Sequence, residues 1–340
     1  MKILIIGDPH IKNDNEEQTS LMTVRICEQI SLLKPDIIVI LGDTLHKHGH
    51  IDLFPFYRAE KFIRSIYTHK DADSHLYILI GNHDRYNNTV FLTDEHAFNS
   101  FKLWPNTHVI DKVTKIKYKS FTSLCVPYVP TGRFAEALST EGFYKEKQYH
   151  LNDVNIVFSH QEYKGAKMNS ITSNNGDDYP LNLPLNVSGH IHDYDDLAAN
   201  LFYPGTPIQH GFSDTTDKTI SFLQFDDDNH LIKKERISLN IMKKLNFNLS
   251  PEELLSFIPP NNSQIKIKVK GNPQVLKHVM TSSHVKDLIA HGIKIIPIEI
   301  DEILVNIAPP ITKMTFRQRL HEAIKLENVE IQNTFNKLFS

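Results

Sequence analysis

The chain has 340 residues, enough for one large core and a smaller unit, since a single core rarely grows past roughly 250–300 residues. A hydrophobic content of 40% and a charged content of 23% exclude a fibrous or wholly disordered chain, and a net charge of −3 excludes a uniformly basic coat for nucleic acid. The two cysteines, Cys27 and Cys125, are far apart and read as core residues, which excludes a thiolate zinc finger and a disulfide framework.

In chain order, the opening run Met1-Lys2-Ile3-Leu4-Ile5-Ile6-Gly7-Asp8 breaks at an acid and predicts a buried strand, with no cleavage-site pattern of a signal peptide. No stretch approaches the roughly 20 apolar residues of a membrane span. The expectation is a soluble intracellular protein, cytoplasmic or nuclear, with no membrane partner. Short apolar, β-branched runs recur at Lys2–Gly7, Asp36–Gly42, His75–Gly81, Val154–Ser159, Leu185–Gly189, Leu201–Gly205 and Thr219–Phe225, each closed by Gly or a polar residue. Between the first two, Glu16–Leu33 predicts a helix with Leu21, Val24, Ile30 and Leu33 as its apolar marks, ending before Pro35. A second helix is predicted over Phe56–Tyr67, with Phe62, Ile63 and Ile66 inward.

The character changes after about residue 235, where Lys233, Lys234, Glu235 and Arg236 lead towards Pro259-Pro260-Asn261-Asn262. We place a boundary at 238/239. Beyond it Gln264–Lys270 alternates apolar residues with Lys266, Lys268 and Lys270, a helical stretch spans Pro273–His291, and Ile293–Ile300 reads as a strand, which makes a small β-α-β module to about 312. The tail, 313–340, is amphipathic and helical in pattern from Thr315, marked by Phe316, Leu320, Ile324, Phe335 and Leu338.

Five short motifs fall at or after strand ends: Asp8-Pro9-His10, Gly42-Asp43-Thr44-Leu45-His46, Gly81-Asn82-His83-Asp84, Ser159-His160 and Gly189-His190-Ile191-His192. Any one alone reads as a satisfied polar residue. Together they are carboxylates, imidazoles and an amide at the ends of strands, where open α/β sheets gather their ligands. An i, i+2 pair such as Asp8/His10 or His190/His192 projects to one side of an extended segment. A buried Asp costs several kcal/mol unless paired or metal-bound. The donor set lacks thiolate and suits Mn²⁺ first, with Mg, Fe or Zn as the other fits.

This order of motifs resembles the calcineurin-like metallophosphoesterase superfamily over roughly residues 1–225. The resemblance implies an α/β, four-layer αββα sandwich of two mixed sheets, here with a small α+β C-terminal cap and a terminal helix. It implies two divalent metal ions: Asp8, His10 and His192 on one, Asn82, His160 and His190 on the other, and Asp43 between them. His83 would be the catalytic imidazole and Asp84 its orienting partner. The remaining histidines His48, His50, His69 and His96 read as solvated.

Within the superfamily, Gly42-Asp43-x-x-His46 looks like the Gly-Asp-x-x-His form of SbcD-type DNA nucleases, with His46 contacting substrate or supporting the site. The segments Phe158–Gly165 and Tyr203-Pro204-Gly205-Thr206-Pro207 look like those of that family, its phage members included. The resemblance then implies an exonuclease with endonuclease ability in DNA recombination or repair. Its partners would be DNA, met in part by Lys266, Lys268 and Lys270, an SMC-like coiled-coil ATPase subunit, and a second copy in a homodimer. No Gly-Lys-Ser/Thr phosphate loop occurs, so an ATPase would be another subunit. The rival readings are a phosphatase or phosphodiesterase for small molecules or phosphoproteins, and a noncatalytic scaffold for an ATPase.

Overall fold

The computed structural model describes residues 1–168, 171–300, 320, 323–325 and 331. Strand β1 (Lys2–Ile6) leads through α1 (Glu16–Leu33) to β2 (Ile37–Ile40), α2 (Leu53–His69) and β3 (His75–Leu79). Next come β4 (Thr107–Ile110), β5 (Thr114–Tyr118), β6 (Phe121–Val126) and α3 (Phe134–Thr140). The short pair β7 (Tyr144–Lys145) and β8 (Gln148–Tyr149) precedes β9 (Ile156–His160), and a second short pair, β10 (Lys167–Met168) and β11 (Ile171–Thr172), follows it. Then come β12 (Leu185–Gly189), β13 (Asp195–Ala198), β14 (Leu201–Tyr203), β15 (Ile220–Phe225) and β16 (Leu231–Ile237).

Two six-stranded mixed sheets result, in the orders β16-β15-β1-β2-β3-β4 and β13-β14-β12-β9-β6-β5. In the first, β1 to β4 run parallel and β15 pairs antiparallel with β1; in the second, β6, β9, β12 and β14 run parallel. The period-2 alternation of these strands decides the layers. Leu4, Ile6, Ile38, Ile40, Leu76 and Ile78 face α1 and α2. Their neighbours Ile3, Ile5, Ile37, Val39, Tyr77 and Leu79 face the second sheet and meet Cys125, Ile156, Phe158 and Val187. On the far side Leu124, Val126, Val157 and Leu201 pack with Phe134, Ala137 and Leu138 of α3. The architecture is the four-layer α/β sandwich, with one outer layer built from α3 and loops.

The helix phase differs from the expectation in α1. Met22, Ile26 and Ile30 form its buried stripe, while Val24 is 54% exposed and Leu21 only half-buried. The apolar residues of α1 outnumber what one stripe holds, so spacing alone selected a partly wrong face. In α2 Phe62, Ile63 and Ile66 are buried.

A third, all-parallel sheet follows: β17 (Lys243–Leu249), α4 (Pro251–Leu255), β18 (Ser263–Gly271), α5 (Pro273–Met280), α6 (Ser283–Ala290) and β19 (Lys294–Glu299), in the order β17-β18-β19. It has its own apolar cluster, Ile265, Ile267 and Val269 against Leu254, Leu276, Val279, Val285 and Leu288. Lys266, Lys268 and Lys270 alternate with those residues and so lie on the face without helices. The single helix expected over Pro273–His291 breaks in two because Ser282 starts a new one, its side chain accepting from the Val285 amide at 3.3 Å. Residues 301–319 of the expected module and tail, and most of the tail beyond, lie outside the described residues; Leu320 and Ile324 are the marks described there, and Phe316, Phe335 and Leu338 are not. Among the described residues no helix is long and apolar enough to cross a membrane.

Candidate metal centre

Parallel β1, β2 and β3 deliver Asp8, His10, Asp43 and Asn82 at one end of their sheet, and parallel β9 and β12 deliver His160, His190 and His192 at the corresponding end of the other. All seven converge. Asp43 Oδ2 lies 3.7 Å from Nε2 of His10 and 3.3 Å from Nε2 of His160. On the first side His10 Nε2 is 3.0 Å from His192 Nε2. On the second, Asn82 Oδ1 is 3.1 Å from His160 Nε2 and 3.0 Å from His190 Nδ1. Asp8 approaches from below: its Oδ2 accepts from the His190 amide at 2.9 Å, and its Oδ1 lies 3.4 Å from His160 Nδ1.

The donor atoms fit cations. His160 Nδ1 donates to the Leu41 carbonyl at 2.7 Å, which turns Nε2 toward Asn82 Oδ1 and Asp43 Oδ2, both acceptors. Two acceptors converging on that nitrogen in a buried site call for a positive charge there, the imidazolium proton or a cation in its place. Asp8 Oδ1 is buried with no hydrogen-bond partner among the described residues. Burial works against the imidazolium of His160, yet Asp43 and then Asp8 hold its pKa at about 9. Burial pushes the Asp8 carboxyl up to about 7 against the pull of His160. Burial also opposes charge on Asp43, but His160, His10 and His83 together keep it well below the usual carboxylate range. Burial, the largest cause in each case, lowers His10, His192 and His190, the last to about 3, so their rings are neutral lone-pair donors at neutral pH.

Local backbone makes the convergence. His10, Asp43 and His190 have φ of 43°, 47° and 85°, a region that costs non-glycine residues about 1–3 kcal/mol each. Gly42 and Gly189 admit His160: a Cβ on them would stand 2.5 Å and 2.8 Å from its Nδ1.

His83, His46 and Asp84 sit beside this cluster. The His83 amide donates to Asp43 Oδ1 at 2.8 Å, its Nε2 is 3.9 Å from Asp43 Oδ2, and its Nδ1 pairs with the His46 carbonyl. Burial lowers the His83 pKa to about 4, with Asp43 opposing. The His46 ring stacks on His83 with centroids 5.8 Å apart and brings Nδ1 to 3.4 Å from His10 Nδ1. Asp84 does not orient the His83 ring. Its two oxygens accept from the Leu45 and Gly81 amides, at 2.9 and 3.1 Å, so it fixes the two loops that carry Asp43 and Asn82. The His46 carbonyl has taken the partner role expected of Asp84.

Of the histidines read as solvated, His96 has a buried ring, while His48 is exposed as expected but packs on the site. The His96 ring is fully buried, 3.2 Å from Asp111 Oδ2 and accepting from the Phe98 amide. His48 packs on His83 with centroids 3.5 Å apart and meets the Asn82 carbonyl at 3.2 Å. His50 and His69 are exposed. Sequence reasoning also missed two neighbours, buried Asn15 and half-buried His210. Asn15 donates to the His10 carbonyl at 2.9 Å and accepts from the Lys12 amide at 3.0 Å, clipping the His10 loop. His210 lies 5.0 Å from His10 and 5.6 Å from His192 between ring centroids, its Nε2 3.3 Å from the Asp8 carbonyl. Its only signal was position after the Tyr203-Pro204-Gly205 turn.

The third sheet joins the site through the same loop. Gln209 exchanges hydrogen bonds with the Lys244 backbone, at 3.0 and 2.7 Å, and the ammonium groups of Lys12 and Lys244 each reach the His210 carbonyl at 3.2 Å. Lys244 shares the helix-free face with Lys266, whose ammonium lies 6.0 Å from the Phe212 ring centroid.

A family model described as calcineurin-like phosphoesterase matches residues 1–194. A protein of Invertebrate iridescent virus 6, provisionally named phosphoesterase 244L, is 39% identical over 280 residues, covering 81% of this chain and 96% of its own. A second, provisionally named phosphoesterase 078R, from Invertebrate iridescent virus 3, is 37% identical over 247 residues, 71% of this chain and 69% of its own. Among solved structures, a purple acid phosphatase from yellow lupin (Lupinus luteus) seeds aligns at 13% identity over 70% of this chain and 53% of that one, with a TM-score of 0.42.

Proposed function

This chain belongs to the calcineurin-like phosphoesterase family, hydrolases of phosphoesters, and we propose that within it the protein is an SbcD-type DNA nuclease. The observation that carries the DNA reading is the attachment of a lysine-bearing sheet directly to the site loop, through Gln209, Lys244 and the His210 carbonyl. A small phosphoester needs no such appendage. Phosphate contacts by lysine supply sequence-independent affinity for a long polyanion.

In this reading Asp8, His10 and His192 would hold one divalent ion, Asn82, His160 and His190 a second, and Asp43 would serve both. Bound there, the ions supply charge neutralisation for the phosphate and acidify water. The chain supplies the rest. His83 faces the departing ester oxygen; its Nδ1 proton is committed to the His46 carbonyl, so a proton for the leaving group travels on Nε2 of the imidazolium. The negative charge of bound substrate favours that form, against burial, which lowers the His83 pKa to about 4, and against the charge the ions would bring. His46 and His48 hold the ring between them.

Lys266, Lys268 and Lys270 are proposed to meet DNA phosphates, with a coiled-coil ATPase subunit as partner by resemblance. Exposed Leu53, Phe54 and Tyr57 at the start of α2 support a second copy docking there. The test is Mn²⁺-dependent cleavage of DNA measured beside that of mononucleotide esters, on wild type and His83→Ala. Preferred cleavage of DNA, with hydrolysis lowered about 10²–10⁴-fold and metal binding kept in the variant, supports the reading. Equal or better turnover of the small esters overturns the DNA assignment, and undiminished turnover in the variant removes His83 from its role.

A further inference from the structure

Beside His83 lies a cavity of about 420 Å³, lined by Leu45, His50, Ile51, His83, Tyr86 and Glu95, with Lys47 and Arg85 also on its wall. Its volume falls in the range of small-molecule sites. The chemistry of the lining is against a phosphate. Lys47 is ion-paired with Asp52 at 2.6 Å. The Arg85 guanidinium donates to the carbonyls of Tyr128, Val90 and Phe91. Both oxygens of Asp84, at the same wall, are taken by backbone amides.

What remains is apolar and flat. Tyr86 is 51% exposed and Ile51 58% exposed, large side chains that a ring between them would cover. Glu95 adds an acceptor, and an acceptor beside an aromatic face suits an uncharged ring bearing N–H donors. One side of the wall is joined through backbone, where Arg85 and His96 form an antiparallel β-bridge and the Tyr86 amide donates to the Glu95 carbonyl at 3.4 Å.

We propose that this cavity binds the nucleobase of the leaving nucleotide. The inference rests on the reading of His83 as the group that meets the departing oxygen: a leaving group that passes His83 continues into the space His83 lines. Seating a base there requires it to leave its stack, so the site takes nucleotides that are already unpaired, at single strands or frayed ends. Amino-bearing bases match Glu95 best.

The test uses single-stranded oligonucleotides that carry at the leaving position either a base or an abasic tetrahydrofuran, cleaved by wild type, Tyr86→Ala and Ile51→Ala. Both side chains are exposed, so the variants keep the fold. Wild type is expected to prefer the base-bearing linkage about tenfold in kcat/KM, the change expected for one base–aromatic contact, and Tyr86→Ala to bring that ratio close to one. A wild-type ratio near one overturns the proposal. A second measurement stands apart from activity: deoxyadenosine added to metal-free protein should bind saturably by ligand-observed NMR, and about tenfold more weakly to Tyr86→Ala. Absence of saturable binding, or equal binding to the variant, also overturns the cavity assignment. A wild type that binds deoxyadenosine as expected but cleaves no DNA leaves the cavity in place and removes the nuclease reading.

Discussion

Gly189→Ala puts the convergence of the site under direct strain. Gly189 is buried at the end of β12, and an alanine Cβ there would lie 2.7 Å from Asp8 Oδ1, 2.7 Å from the Leu41 carbonyl oxygen and 2.8 Å from His160 Nδ1. The shortest ordinary contact is 3.4 Å, so each neighbour must retreat by about 0.6–0.7 Å. None of them is loose. The Leu41 oxygen is backbone and accepts from His160, and Asp8 is held through its other oxygen by the His190 amide. Overpacking of this kind costs about 1–3 kcal/mol in stability. The larger effect is on the donors: loss of the Leu41 partner of His160 is expected to weaken divalent-ion affinity about 10–100-fold. The assay is Mn²⁺ affinity by counting free ion in electron paramagnetic resonance, with a thermal melt alongside. Gly211→Ala, whose nearest neighbours are 3.6 Å from the new Cβ, serves as the control and should shift neither readout. An unchanged Mn²⁺ affinity in Gly189→Ala would refute the close-packed arrangement of Asp8 and His160.

Two further outcomes are expected. Asp84→Asn replaces one acceptor with a donor facing the Leu45 or Gly81 amide, and should destabilise the fold by about 1–3 kcal/mol in urea unfolding; equal midpoints would show that these amides find another acceptor. His108, with Nε2 3.0 Å from His75 Nδ1, has its pKa lowered to about 4 by burial and then by His75. Its unfolded pKa is near 6.5, so the folded protein binds fewer protons below that pH: stability is full above about 6.5 and is lost as pH falls toward 4. Discounted for partial exposure, the loss relative to His108→Gln should reach about 1–2 kcal/mol, read as the difference in urea midpoints between pH 7 and pH 4.5, and parallel pH profiles would contradict it.

The parts of the fold that lie next to motifs were legible because each motif closes an apolar strand: the runs ending at Gly7, Gly42, Gly81 and Gly189 are the central parallel strands of both sheets. Strands β4, β5 and β6 were not read. Their alternation is short and mixed with Lys115, Lys117 and Thr residues, and the packing of the two sheets on each other supplies the burial that defines them. Side-chain partnerships across long sequence separation were equally hidden. Nothing near His83 announces that the His46 carbonyl rather than Asp84 will hold its ring, because only the folded loop after Asp43 places that carbonyl there. His210, His48 and Asn15 look like loop residues and become neighbours of the centre through turns whose geometry spacing does not encode.

The direct measurement is the stoichiometry of Mn²⁺ binding by titration calorimetry on wild type and Asp43→Ala. Two ions per chain are expected for the wild type, with the tighter affinity lost in the variant because its carboxylate stands between both halves of the donor set. A wild type that binds no Mn²⁺ or other divalent ion, or a variant that binds two with unchanged affinity, would contradict the assignment of the centre.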